Sequence, residues 1–357
     1  MGEVLSILLI IVIAAVGGLT GSRFKLPAGA MLGAMAAVVT LQMIYVQPGL
    51  PSQLQVVLQL ASGTLIGSRV TKKDALGLRR LALPAIVLII CMFIINVVVG
   101  SAMYFFSRLD IITSLFASAP GGMMDMAIVS AELGANPAYV ALLQLARLIF
   151  IFTCMVPFFR KIVSAASPSL PKISVSDSEP PKPVPAAKPM RDKAKLLCFT
   201  LLCGCTSGLI LWHLGVPAGA IIGAMVGTAA FNIATAKAYF PPKCRLPLQI
   251  LAGAFIGMRM DRESILAIGN LIVPAIILFA GVILITFVTA FIMRKLTKLD
   301  LATCLLASTP GGLTEMALMA EDLGLDAPKI AILQTSRLMS VIIFFPTMLY
   351  FVARVVG

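Results

Sequence analysis

Apolar positions run along this chain in long blocks separated by short polar joints. Six blocks fill the first half, roughly 4–22, 27–46, 52–68, 81–107, 111–132 and 137–159. Six more fill the second, roughly 195–213, 217–236, 246–258, 268–293, 301–321 and 328–353. Most approach the ~20 residues that a helix needs to cross a bilayer. The pattern predicts an all-α polytopic membrane protein. The first block, opening "MGEVLSILLI", lacks the basic start and the cleavage site of a signal peptide and reads as the first span.

The halves repeat at an offset of 190 residues. "PAGAMLGAM" at 27–35 returns as "PAGAIIGAM" at 217–225, and "LQLASGTLIGSR" at 58–69 as "LQILAGAFIGMR" at 248–259. "ALLQLARL" at 141–148 returns as "AILQTSRL" at 331–338. Two membrane repeats follow, 1–165 and 193–357, joined by a Pro/Ser-rich, basic linker over 166–192 with no apolar period.

The fifth block of each half is broken. "ASAPGGMMDMA" (117–127) and "ASTPGGLTEMA" (307–317) place Pro-Gly-Gly inside apolar sequence, with Asp125 and Glu315 just beyond. Each arm reaches only ~13–17 Å at 1.5 Å per residue, half a bilayer. Each block is therefore a re-entrant hairpin or a discontinuous span, and charge favours the hairpin. Lys and Arg in short loops favour the cytoplasm. Arg23/Lys25, the run Arg69–Arg80 and the linker are all basic. They share one face only if one of blocks four to six does not cross. In the second half the basic loops change places, to 237–245 and 294–298. The expected architecture is two inverted-topology repeats with ten spans, two hairpins, a cytoplasmic linker and both termini outside, a plan used by secondary transporters.

Composition agrees and narrows the chemistry. Of 357 residues 59% are hydrophobic and 12% charged, with mean hydropathy +1.02. The net charge of +13 reflects basic loops, and no stretch combines a basic patch with stacking aromatics, so nucleic acid is excluded as a partner. One histidine and seven scattered cysteines supply no metal centre. No cofactor and no enzymatic activity are expected; a bound Na⁺ or H⁺ is allowed.

Among fifteen acidic and twenty-eight basic residues, only Asp125, Glu315, Arg147 and Arg337 fall well inside apolar blocks. An ionised side chain there costs at least ~2.5–3.5 kcal/mol and needs a partner or water. The blander reading is that each arginine pairs with its carboxylate to hold a hairpin. The functional reading puts Ser118, Gly121, Gly122, Ser308, Thr309, Gly311 and Gly312 around a central site where the two tips meet. There Arg147 and Arg337 hold an anionic group, Gln144 and Gln334 hydrogen-bond it, and Asp125 and Glu315 bind a coupling proton or sodium or balance the arginines. The arm beginning at Gly122 offers a helix N-terminus to an anion, and the arm ending at Ala117-Ser118 offers carbonyls to a cation. The Gly-xxx-Gly pairs, such as Gly63/Gly67 and Gly253/Gly257, read as close helix contacts.

Two copies of Ser-x-Pro-Gly-Gly-x-x-(Asp/Glu)-Met-Ala, each followed by Gln-x-x-Arg-Leu, resemble the AbrB family of duplicated bacterial inner-membrane proteins. The resemblance covers nearly the whole chain and implies a multi-pass protein of the bacterial inner membrane. Members are often labelled ammonia monooxygenase or regulator of aidB expression. The family is distantly similar to the cation/proton-antiporter and anion-transporter superfamily, which implies transport, with an elevator motion by analogy.

Four functions compete. A secondary transporter would move a small anionic metabolite with H⁺ or Na⁺, in lipid, as a monomer or homodimer. A cation/proton antiporter would use the buried carboxylates as its ion site. A membrane regulator would need an effector surface, for which only the linker is available. An oxidoreductase would need the metal centre that the composition denies it.

Overall fold

The computed structural model describes residues 3–23, 29–44, 53–159, 190–260, 267–312, 316, 319–320, 323 and 325–356. The expected linker lies almost wholly outside them, as does Glu315. The described residues are helical and contain no strand. In the first half come α1 (Glu3–Arg23), α2 (Gly29–Ile44), α3 (Gln53–Gly67), α4 (Lys72–Arg80), α5 (Ala82–Phe106), α6 (Ile111–Ser118), α7 (Met123–Glu132) and α8 (Pro137–Phe150). A π turn, Ile151–Met155, extends α8. In the second half come α9 (Met190–His213), α10 (Gly219–Thr235), α11 (Arg245–Met258), α12 (Ile272–Leu296), α13 (Leu301–Ser308) and α14 (Ala327–Val356).

Six helical segments are long and apolar enough to cross a membrane: Ser6–Arg23, Ala82–Phe106, Pro137–Phe159, Lys195–His213, Gly269–Leu296 and Ala327–Leu349. The six are among the ten spans expected, and the full count of ten is not shown. The other four blocks form helices of 16, 15, 17 and 14 residues (α2, α3, α10 and α11). Such helices reach only about 21–26 Å, short of a ~30 Å hydrocarbon core. The helix α4 was not anticipated, because Lys72, Lys73, Arg79 and Arg80 mask its period. A capping box between Thr71 and Asp74 starts it.

The short helices exchange partners between halves. Glycines explain how closely they pack. A Cβ on Gly63 or Gly67 would strike the backbone of α10 at Ile221 and Met225, and a Cβ on Gly253 or Gly257 would strike the backbone of α2 at Met31 and Met35. These are the same contacts at the 190-residue offset. Residue numbers rise together in each pair, so α3 runs parallel to α10 and α11 parallel to α2. Hydrogen bonds fasten the same ends: Asn232 Nδ2 donates to Ser68 O (3.0 Å) and Val70 O (2.8 Å), and Gln42 Nε2 donates to Met258 O (3.3 Å).

The main core is built around α5 and α12, which meet at Val99 and Gly281, and it takes in Met31, Leu58, Met225 and Phe255 of the short helices. Phe150 stacks on Phe279 and Phe93 meets Phe345 edge-on, so aromatic pairs join the halves here too. Glu132, at the end of α7, adds a polar link. It accepts from Gln59 Nε2 (2.6 Å) and from the Ala218 N–H (3.2 Å) at the start of α10. Ala218 holds a left-handed φ of 57°, which costs an alanine of order 1 kcal/mol and which the Glu132 bond helps to hold.

Candidate functional site

The first broken block folds as two short helices, α6 and α7, with the expected interruption; in the second, α13 ends before the equivalent Pro310, and most of the block beyond Gly312 lies outside the described residues. Asp110 and Asp300 start α6 and α13 as N-caps, each accepting from a threonine N–H at 2.8 Å. The helices stop where proline arrives. The Gly121 N–H reaches back to Ala119 O, and the Gly311 N–H to Thr309 O, both at 2.8 Å. Pro120 and Pro310 sit at the centre of these three-residue turns, where their fixed φ fits. A Cβ on Gly121 would strike Met126, and one on Gly311 would strike Met316.

Ending a helix in apolar surroundings exposes carbonyls that must find donors. Arg147 and Arg337 supply them. Arg147 Nη1 donates to Ala119 O (2.6 Å) and Nη2 to Gly121 O (3.0 Å). Arg337 Nη1 donates to Thr309 O (2.7 Å) and Nη2 to Gly311 O (3.1 Å). Gln144 Nε2 donates to Phe116 O and Ala119 O, and Gln334 Nε2 to Leu306 O and Thr309 O. The three-residue spacing of Gln and Arg sets both on one face of α8 and α14. The cations also meet the negative ends of the α6 and α13 dipoles.

The carbonyls of Phe116, Ala119 and Gly121, which flank the arm end pictured as open to a cation, are therefore occupied. Ser118 Oγ bonds Ser114 O (3.0 Å) and Leu115 O (3.1 Å), and Ser308 Oγ bonds Thr286 O (2.9 Å). Ser118, Ser308, Thr309, Gly121 and Gly311 are buried at the two breaks, and Gly122 and Gly312 are partly exposed.

Among the described residues no carboxylate neutralises the arginines. They are 2% and 5% exposed, and among the described residues neither makes an ion pair. Their Nε atoms have no hydrogen-bond partner, nor do Gln144 Oε1 and Gln334 Oε1. Arg337 is the charge that acts on Arg147, so the two guanidiniums lie within electrostatic reach of each other.

Asp125 lies elsewhere. It occupies the first turn of α7, with Oδ2 folded back on Gly122. Its Oδ1 is buried with no hydrogen-bond partner. Ser62 of α3 lies beside the carboxylate without making a geometrically sound hydrogen bond, and Arg69 and Arg245 are the charges that act on it. The half-exposed Arg69 guanidinium is pushed below its ordinary value, chiefly by burial and then by Arg245, while Asp125 pulls the other way. The pairing of Arg147 with Asp125 expected under the blander reading does not form.

The sequence reading missed a second layer. Asn96 Oδ1, Ser114 Oγ, Thr286 Oγ1 and Thr289 Oγ1 are buried without partners beside the breaks. Asn96 and Thr286 occupy equivalent positions, and polar residues inside otherwise apolar blocks were the available signal. Among the described residues no group of His, Cys, Asp and Glu could hold a metal ion.

Known proteins are similar to this chain in sequence. The family model described as "Transition state regulatory protein AbrB" matches the chain twice, over residues 1–164 and 162–353. A Bacillus subtilis (strain 168) protein named "Uncharacterized protein YhjN" is 25% identical over 358 residues, covering 94% of this chain and 90% of that protein. An Escherichia coli (strain K12) protein named "Putative regulator AbrB" is 24% identical over 337 residues, covering 92% and 91%.

Proposed function

The chain belongs to the AbrB family, and on that premise we propose that it is a secondary active transporter of a small anionic metabolite, coupled to an ion. One observation carries the reading. Two guanidiniums are buried at equivalent breaks, each with an unpartnered Nε and, among the described residues, neither in an ion pair, and Arg337 is a charge that acts on Arg147. Buried like charges without a counterion are costly, and an anion between them removes the cost. Their terminal nitrogens grip the breaks, so the anion would be held by groups that also define the backbone geometry.

The parallel pairing of α3 with α10 and of α11 with α2 supports inverted repeats. If α2 and α3 run in opposite senses, as consecutive spans do, then α2 and its equivalent α10 also run in opposite senses. The site would then lie where opposed hairpins meet, in a protein of the bacterial inner membrane. The helices carrying the breaks (α5–α8 and α12–α14) pack as one group and the short glycine-lined helices as another, an arrangement suited to an elevator motion.

The cation/proton antiporter is the second reading, favoured by the buried, unpartnered Asp125 Oδ1. Against it, the charges acting on that carboxylate are both positive. Regulation without transport would need an effector surface, and its support is the printed names of the family model and of the Escherichia coli relative.

The test is flux into proteoliposomes across a panel of carboxylates and amino acids, each with a pH or sodium gradient. At least one anion should accumulate with the wild type, and Arg337→Ala should remove that uptake. Under the antiporter reading the substitution lowers stability but leaves ion exchange intact.

A further inference from the structure

Asp125 is 8% exposed, and its Oδ1 has no hydrogen-bond partner. The groups around it define what it can take up. It stands at the N-terminal end of α7, the positive end of that helix. From α3 it meets the Ser62 hydroxyl, and the charges reaching it are Arg69, just after α3, and Arg245, at the start of α11. Among the described residues, the other elements packed on α7 add no free anion. Arg147 of α8 is engaged with Ala119 and Gly121, Arg337 of α14 with Thr309 and Gly311, and Arg259 of α11 with Ala131 at the far end of α7. The helix α6, Ile111–Ser118, carries no ionisable side chain.

This is the wrong donor set for sodium. Sodium sites in broken helices use unwound carbonyls and helix C-terminal ends. Here the carbonyls of Ala119 and Gly121 are held by Arg147, and what remains among the described residues is one carboxylate and one hydroxyl, fewer oxygens than a sodium ion needs. A proton needs no cage of oxygens. Ser62 suits both protonation states, donating to the carboxylate and accepting from the neutral acid. The second half is not equivalent, because Ser62 and Thr64 correspond to Ala252 and Ala254.

We propose that Asp125, with Ser62, is a proton site in the first repeat, and that a proton rather than sodium accompanies the anion, one per anion. The proposal rests on the transport reading above. The carboxylate takes a proton from hydronium, leaving water, and on release returns it to a water molecule as hydronium, with no other bond made or broken. Protonating Asp125 removes a negative charge on the helix that follows Gly121, whose carbonyl Arg147 holds, so an anion at Arg147 meets less repulsion and the two bindings favour each other reciprocally.

The test uses full-length protein in nanodiscs and needs no substrate. Infrared difference spectra on acidification should show a neutral-carboxyl band in the wild type that is absent from Asp125→Asn. Ser62→Ala, which keeps the carboxyl, should retain the band at a shifted frequency. Replacing choline chloride by sodium chloride should not raise the melting temperature of the wild type. Sodium stabilisation that disappears in Asp125→Asn would overturn the proposal while leaving the transport reading intact, and so would the absence of any Asp125-dependent band. Where the flux panel identifies an anion, its apparent affinity should fall by about tenfold per pH unit in the alkaline limb and become flat in Asp125→Asn.

Discussion

Arg147→Ala is expected to lose about 2–4 kcal/mol of stability and all anion flux. The side chain gives Gly121 O its side-chain donor and shares Ala119 O with Gln144. Its removal orphans one buried carbonyl, at about 1–3 kcal/mol, and deletes charge-assisted bonds of similar worth. Relief of a buried charge and of its repulsion with Arg337 offsets part of that cost. Arg147→Lys separates the two roles. A lysine keeps the charge but not the planar fork, so it cannot hold both carbonyls in the same geometry. Thermal unfolding in detergent should therefore rank wild type above Lys and Lys above Ala. Equal stability for all three would mean that the break does not depend on the guanidinium.

Gly253→Leu should cost at least ~2 kcal/mol, by overpacking an interface closed at backbone distance. A Cβ there meets Met31 O and the Ala34 side chain, on a helix of the other half. Loss of the contact would free α11 from α2, and with it one of the two exchanged pairs. Gly269 is the control, because a Cβ at that position meets nothing within 4 Å. Gly269→Leu should leave the melting temperature nearly unchanged. A similar shift for both variants would show that the exchanged packing is not what the glycines serve.

Much of the fold is legible in the sequence because its causes are local. Proline cannot continue a helix, so Pro120 and Pro310 mark the breaks, and Asp110 and Asp300 mark the starts. The offset of 190 announces that whatever happens at Gly63 happens again at Gly253. Two things are not legible. A backbone carbonyl has no sequence signature, so nothing in the letters says that Arg147 faces Ala119 and Gly121 rather than Asp125. Partner exchange also leaves no mark, since a glycine-lined helix accepts any close neighbour. The number of spans fell between these cases. Block boundaries locate the short helices, but hydropathy cannot tell a 14-residue helix that needs a neighbour's length from one that crosses alone.

The central claim is that Arg147 and Arg337 turn their unpartnered Nε–H groups toward one shared anion. Magnetic-resonance spectra of protein labelled at arginine Nε, in nanodiscs, test it most directly. Two Nε signals should be assigned by their loss in Arg147→Lys and Arg337→Lys, and both should move together as an anion from the flux panel is added. If an anion that is transported leaves both signals in place, or moves either one without the other, the guanidiniums serve the backbone alone and the account is contradicted.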